Sequence, residues 1–287
     1  MKISTTLVLA VSLLSAGQAL AKNKVIYGED NRVDVVNSNN SLFVELSRST
    51  AAMISSVNLR PDEDAGTTRI VGKTLRSSGI CATERFANQI SAANCSGFLV
   101  GENLLVTAGH CIRNNSDCRG YKWVFDYKVD HEDQGEVVVD STSIYSCKRI
   151  VNRSLNSMNG DDWALLELDR NVTDRAPLTY RTSGKPRVQD PLVVIGHPTG
   201  IPTKIADGAN VRSLSSTYFV ANLDTFGGNS GSAVFNAHTG VVEGILVRGT
   251  TDYVYNRELK CQVSNVCTNS GCRGEDVTYI TNIPELQ

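Results

Sequence analysis

Three short stretches of this chain carry side chains that together make a nucleophilic hydrolase. Gly227-Gly228-Asn229-Ser230-Gly231-Ser232 sets a serine among glycines. Thr107-Ala108-Gly109-His110-Cys111 offers an imidazole, and Asp161-Asp162-Trp163-Ala164-Leu165-Leu166 a carboxylate at the head of an apolar run. A serine hydroxyl is a poor nucleophile until a base takes its proton, and imidazole titrates near neutrality. A carboxylate then fixes the imidazole tautomer and stabilises the imidazolium. Glycines before the serine permit a backbone turn that aims consecutive N–H groups at one point, where negative charge develops in acyl transfer. The expected oxyanion hole is the N–H of Gly228 and of Ser230.

The chain has only four histidines. His131 lies in a charged stretch, His197 in a Gly-His-Pro turn and His238 in a hairpin turn, so each reads as surface or structural. His110 stands apart because it ends an apolar run beside a cysteine.

Around these residues the chain reads as β structure. From about residue 70, short apolar runs recur at Phe98–Val100, Leu104–Thr107, Val137–Val139, Ala164–Leu168, Val193–Ile195, Ala233–Phe235 and Val241–Val247, separated by Gly, Asn, Asp and Pro clusters. No long helical periodicity intervenes. That argues against an α/β hydrolase, which would also place its serine in a G-x-S-x-G elbow; here Ser232 stands at the final glycine. Arg170–Asp190, charged and with two prolines, reads as a connection between two halves.

The order His, Asp, Ser and the local sequences resemble the trypsin/chymotrypsin family of serine peptidases. Asp162-Trp163-Ala164-Leu165-Leu166 matches the family's frame at the carboxylate, which leaves Asp161 as a turn residue. The Gly-Asn-Ser-Gly-Ser string is similar to that of the glutamyl endopeptidases, a bacterial branch. The resemblance covers about residues 70–283. It implies an all-β fold of two antiparallel six-stranded barrels, about 70–172 and 185–283 within a peptidase domain at 70–287, with the site in the cleft between them. It implies that His110, Asp162 and Ser230 are catalytic, that Cys95 pairs with Cys111, and that proteins or peptides are the substrates, with no cofactor and no metal. A monomer is expected. A non-catalytic relative that binds proteins in the same cleft, and a lipase or esterase, are the competing readings.

The chain departs from the family at several positions. Asn229 stands where trypsin-like enzymes carry an aspartate that pairs with a newly cut terminus. Arg69-Ile70-Val71-Gly72 nevertheless looks like an activation site, 40 residues before His110. Val247 occupies the place of a serine that supports the catalytic carboxylate, so Asp162 is expected to rely on backbone N–H groups near His110. By the resemblance Asp224 is the base of the primary specificity pocket, with Thr225, Val247 and Gly249 also substrate-binding and Asp276 adding negative charge. That implies cleavage after Lys or Arg. Arg248, at the pocket mouth, could neutralise Asp224 and so leaves glutamyl specificity open, although Leu246 replaces the histidine of glutamyl enzymes.

The N-terminus reads as a secretory signal: Lys2, the apolar run Leu7–Leu14, and cleavage after Ala21 in Ala19-Leu20-Ala21. The run is too short for a membrane anchor. Residues 22–69 are polar and Asn/Ser-rich and read as a propeptide or N-terminal arm. An exported protein, in the periplasm or the medium, suits the eight cysteines, because disulfides persist outside the cytosol. Beyond Cys95 and Cys111, six cysteines allow 15 pairings. Zinc at Cys261, Cys267 and Cys272 is disfavoured, since no C-x-x-C unit and no nearby histidine accompany them. The acidic stretch Asp130–Glu136 lacks an EF-hand pattern and reads as a solvated loop. The net charge of −2 gives no electrostatic case for nucleic acid or an anionic membrane.

Overall fold

The computed structural model describes residues 25–131 and 134–287. The proposed signal sequence lies outside the described residues. Two closed, six-stranded antiparallel barrels make up the fold. The first contains β1 (Thr50–Ser55), β2 (Ala93–Leu99), β3 (Leu104–Thr107), β4 (Tyr121–Phe125), β5 (Ile144–Leu155) and β6 (Asp162–Leu168), in the order β4-β5-β6-β3-β2-β1. The second contains β7 (Pro191–Gly196), β8 (Lys204–Leu214), β9 (Tyr218–Ala221), β10 (Ala233–Asn236), β11 (Val242–Arg248) and β12 (Glu275–Tyr279). Its order is β7-β10-β11-β12-β9-β8, closed by β7 against β8. Closure removes the exposed edges along which sheets aggregate.

Both interiors are filled by side chains that suit a pleated surface. Trp123, Phe98 and Phe125 fill the first barrel. Phe219, Val277, Tyr279 and Leu246 fill the second. Residues 170–190 lie between β6, which ends at Leu168, and β7, which begins at Pro191. The run Val137–Val139 is not a barrel strand; it pairs with Thr67–Ile70, which also pairs with Leu59–Asp62, in a small separate sheet.

The start of the folded region is corrected. The first barrel begins at Thr50, not near residue 70, because β1 closes it between β4 and β2. Upstream, Arg32–Asp34 adds to the second barrel along Lys204–Ala206. A helix at Ser41–Ser47, capped by the Asn40 side chain, then leads into β1. The apolar signal of β1 is weak because Ala51 and Ala52 lie opposite Gly97 and Ser96, where two strands meet with little room for bulk. Asp34 is buried in an ion pair with Lys204 at 2.6 Å, and Gln89 bonds both. Residues 25–69 are thus woven into both barrels rather than attached to them.

Ile70 is buried in the middle strand of the small sheet, and Arg69 pairs with Glu136 at 3.1 Å. The Arg69–Ile70 bond is therefore inside a paired strand, not on a free loop.

Candidate active site

His110 follows β3, and Asp162 is the first residue of β6, the strand paired with β3. The pairing brings the two side chains together. His110 Nδ1 lies 2.8 Å from Asp162 Oδ2, and the His110 backbone N–H donates to Asp162 Oδ1 at 3.0 Å. Burial works against the Asp162 charge, but the hydrogen bonds and charge of His110 outweigh it, with Arg248 adding to them. The carboxyl is held below the usual range. Gly109 permits this approach: a Cβ there would stand 2.1 Å from Ser154 O and 2.8 Å from Trp163 O. Asp161 takes the turn role, accepting from Trp163 Nε1 at 3.0 Å and Asn282 Nδ2 at 2.7 Å.

Ser230 sits between β9 and β10 of the second barrel, 9% exposed, and reaches the first barrel through backbone. Its carbonyl accepts from Ser96 N at 2.8 Å and lies 3.7 Å from Cys111 Sγ, beside His110. Gly228 has φ +95°, the conformation expected of an oxyanion-hole glycine, and a Cβ there would meet His197 O at 2.4 Å. Asn229 is buried among neutral partners, its Oδ1 near Ser232 Oγ at 3.2 Å.

Ser96 and His197 hold this loop, and neither was identified from sequence as functional. Ser96 Oγ donates to Gly228 O at 2.9 Å and accepts from His197 N at 3.0 Å. His197 is buried, stacks on Tyr127 at 5.5 Å, and its Nδ1 lies 3.2 Å from Ile201 O. Burial pushes its ring down to about 3, so it is neutral and structural, as its turn position implied. Ser96→Ala would strand two buried backbone groups, each costing about 1–3 kcal/mol. We expect a lower melting temperature and a fall in kcat that exceeds any change in KM, read by calorimetry and steady-state kinetics.

The pocket differs from expectation. The Asp224 carboxylate is buried and both its oxygens accept from backbone. Tyr27 N donates to its Oδ1 at 2.7 Å and Asn31 N to its Oδ2 at 2.9 Å. Burial raises this carboxyl to about 6, opposed by those two N–H groups. The neighbouring Thr225 N donates to Val25 O at 3.3 Å, and the Arg32 guanidinium lies 4.2 Å over the Phe226 ring. The N-terminal arm therefore braces the wall that the resemblance assigned to substrate. A second acid, Glu275, is buried beside Thr225. Its Oε2 accepts from Thr225 Oγ1 at 2.9 Å and its Oε1 from Thr250 N at 3.3 Å. Gly249 has no Cβ because Glu275 Oε2 would be 1.8 Å from it.

Val247 is buried on β11 and offers Asp162 no hydroxyl. Arg248 turns away from Asp224, correcting the expected neutralisation. It donates from Nε to Asp276 Oδ2 at 3.1 Å and from Nη2 to Gly160 O at 2.7 Å. Arg248 and Arg273 both pair with Asp276 Oδ2, so its charge is offset by two guanidinium groups.

All eight cysteines are bridged: Cys81–Cys261, Cys95–Cys111, Cys118–Cys147 and Cys267–Cys272. Cys95–Cys111 pins the His110 loop to β2, as the resemblance implied. The cluster Cys95, His110 and Cys111 has metal-like spacing, but its sulfurs are committed to each other and cannot act as thiolates.

Comparison with known proteins agrees with this geometry. The trypsin-like peptidase domain matches residues 95–245. No curated protein matches the chain. A solved structure of a Glu endopeptidase in complex with MPD is similar in fold, with 15% identity and a TM-score of 0.53, over 91% of this chain and 97% of that one. The domain match spans more than half the chain and contains His110, Asp162 and Ser230, so this protein belongs to the trypsin-like peptidase family, as a serine endopeptidase of chymotrypsin-like fold.

Proposed function

We propose that this chain is an exported serine endopeptidase in which His110, Asp162 and Ser230 form the triad. The observation that carries this reading is the double hydrogen bond from His110 to Asp162, made beside the Ser230 loop. His110 takes the proton of Ser230 Oγ as that oxygen attacks the scissile carbonyl carbon. The resulting oxyanion is received by the N–H groups of Gly228 and Ser230. His110 then gives the proton to the leaving amine, and water releases the acyl-enzyme by the reverse sequence. Asp162 keeps the proton on Nδ1 throughout. Export is supported by the signal-like N-terminus and by four disulfides. Among the described residues no helix is long and apolar enough to cross a membrane.

The proposed primary specificity is Lys or Arg, with Glu275 rather than Asp224 as the recognising acid. A carboxylate held against Thr225 and Gly249 favours a cationic side chain and opposes an anionic one. The test compares matched peptides carrying Arg, Ala or Glu before the scissile bond. Arg-directed cleavage is expected, and Glu275→Gln should lower its kcat/KM by roughly 30-fold, about 2 kcal/mol, while sparing the Ala peptide. Preferred cleavage after Glu would keep the enzyme and overturn the pocket.

A further inference from the structure

We propose that Arg248 is a positioning residue for the catalytic pair, reaching across the cleft to Asp162 and standing in for the hydroxyl that Val247 lacks. The inference rests on the triad reading. Arg248 Nη1 lies 3.7 Å from Asp162 Oδ2, the oxygen that faces His110 Nδ1. That is beyond a hydrogen bond, so the interaction is through-space attraction. Its strength depends on how firmly the guanidinium is held. Three contacts hold it: Nε on Asp276, Nη2 on Gly160 O, and the plane 5.7 Å over the Tyr218 ring. Asp276 is itself the register partner of Arg248 on β12 and is clamped by Arg273.

The arrangement does two things. Gly160 lies in the turn that delivers Asp162 to the head of β6, so Arg248 ties that turn to the substrate-side strand of the other barrel. It also places a cation beside the carboxylate that stabilises the imidazolium. The charged groups facing the pair are Arg248 and Asp276 from the second barrel, Arg153 from β5, whose Nη2 donates to Gly109 O at 3.2 Å, and Arg113, whose Nε donates to His110 O at 3.3 Å. Arg248 alone among these cations bonds both the turn before Asp162 and an anchor in the opposite barrel. That cation competes with the imidazolium for the Asp162 carboxylate.

The experiment measures kcat, KM and the pH profile of kcat/KM for the full chain, with fluorophosphonate labelling of Ser230 as the separate check on the triad. Arg248→Gln is expected to lower kcat about tenfold with KM changed less than about twofold, and to move the acid limb upward by about half to one pH unit. Arg248→Lys, which keeps the charge but not the fork, should return the limb and recover only part of kcat. Labelled Arg248→Gln with the wild-type limb and kcat overturns the proposal and leaves the triad standing. Failure of the folded wild type to label overturns the triad and the proposal with it. Should Arg248→Gln not fold by circular dichroism, Asp276→Asn gives the decision: a fall in kcat of about threefold at constant KM supports the anchor, and wild-type kcat overturns it.

Discussion

Ser230→Ala is expected to lower kcat/KM toward a cleaved peptide by roughly 10⁴- to 10⁶-fold, with nearly all of the loss in kcat. The acyl-enzyme path needs an oxygen nucleophile at this position. Ser232 is fully buried and faces Asn229. A serine-to-alanine change removes one small oxygen and leaves the backbone bonds of the loop in place, so the melting temperature should shift by only about 1–2 °C. Residual turnover of about 10³-fold over water is expected from the oxyanion donors alone. Retention of wild-type activity in a verified Ser230→Ala preparation would remove Ser230 from the chemistry.

The second large effect concerns the N-terminal arm. A chain beginning at Ile70 is expected not to fold. It lacks β1, whose Met53 is buried inside the first barrel and whose Ile54 is buried between that barrel and the small sheet, each stabilising by about 1.5–3 kcal/mol. It also lacks Asp34, which leaves Lys204 buried without its carboxylate at a cost of about 3–5 kcal/mol. Those losses are comparable with the whole stability of a typical domain, about 5–15 kcal/mol. The first barrel would be left open, with two unpaired edges on β2 and β4. Circular dichroism, thermal melting and the soluble yield of the truncated chain check this. A cooperative melt near the wild-type temperature would restore residues 22–69 to the role of a detachable propeptide. The same reasoning bears on activation. A nick at Arg69 that leaves the arm bound keeps both barrels closed, whereas loss of the arm does not.

The proposed triad was legible in the sequence because each of its groups lies in a short motif whose neighbours have local jobs. Gly109 admits two crossing carbonyls, Gly228 takes a positive φ, and Cys111 ties the His110 loop to Cys95. Such requirements leave their mark within a few residues of the group they serve. Asp162 could be told from Asp161 for the same reason, through its frame against the apolar strand. The two-barrel fold was legible from short β-type runs and from the family likeness together.

The tertiary structure alone decided the rest. Asp224 looked like a pocket base, but its partners Tyr27 and Asn31 stand 197 and 193 positions away, and nothing around Asp224 announces them. Arg248 looked like a group aimed at Asp224 until the closure of β11 on β12 turned it toward Asp276 and toward Asp162 of the proposed triad. Strand β1 escaped notice because alanines that fit closely against a facing strand carry little hydrophobic signal of their own. A motif records what its own backbone needs. Where a charge is satisfied, and which side of a cleft it serves, is set by groups that only folding brings within a few ångströms.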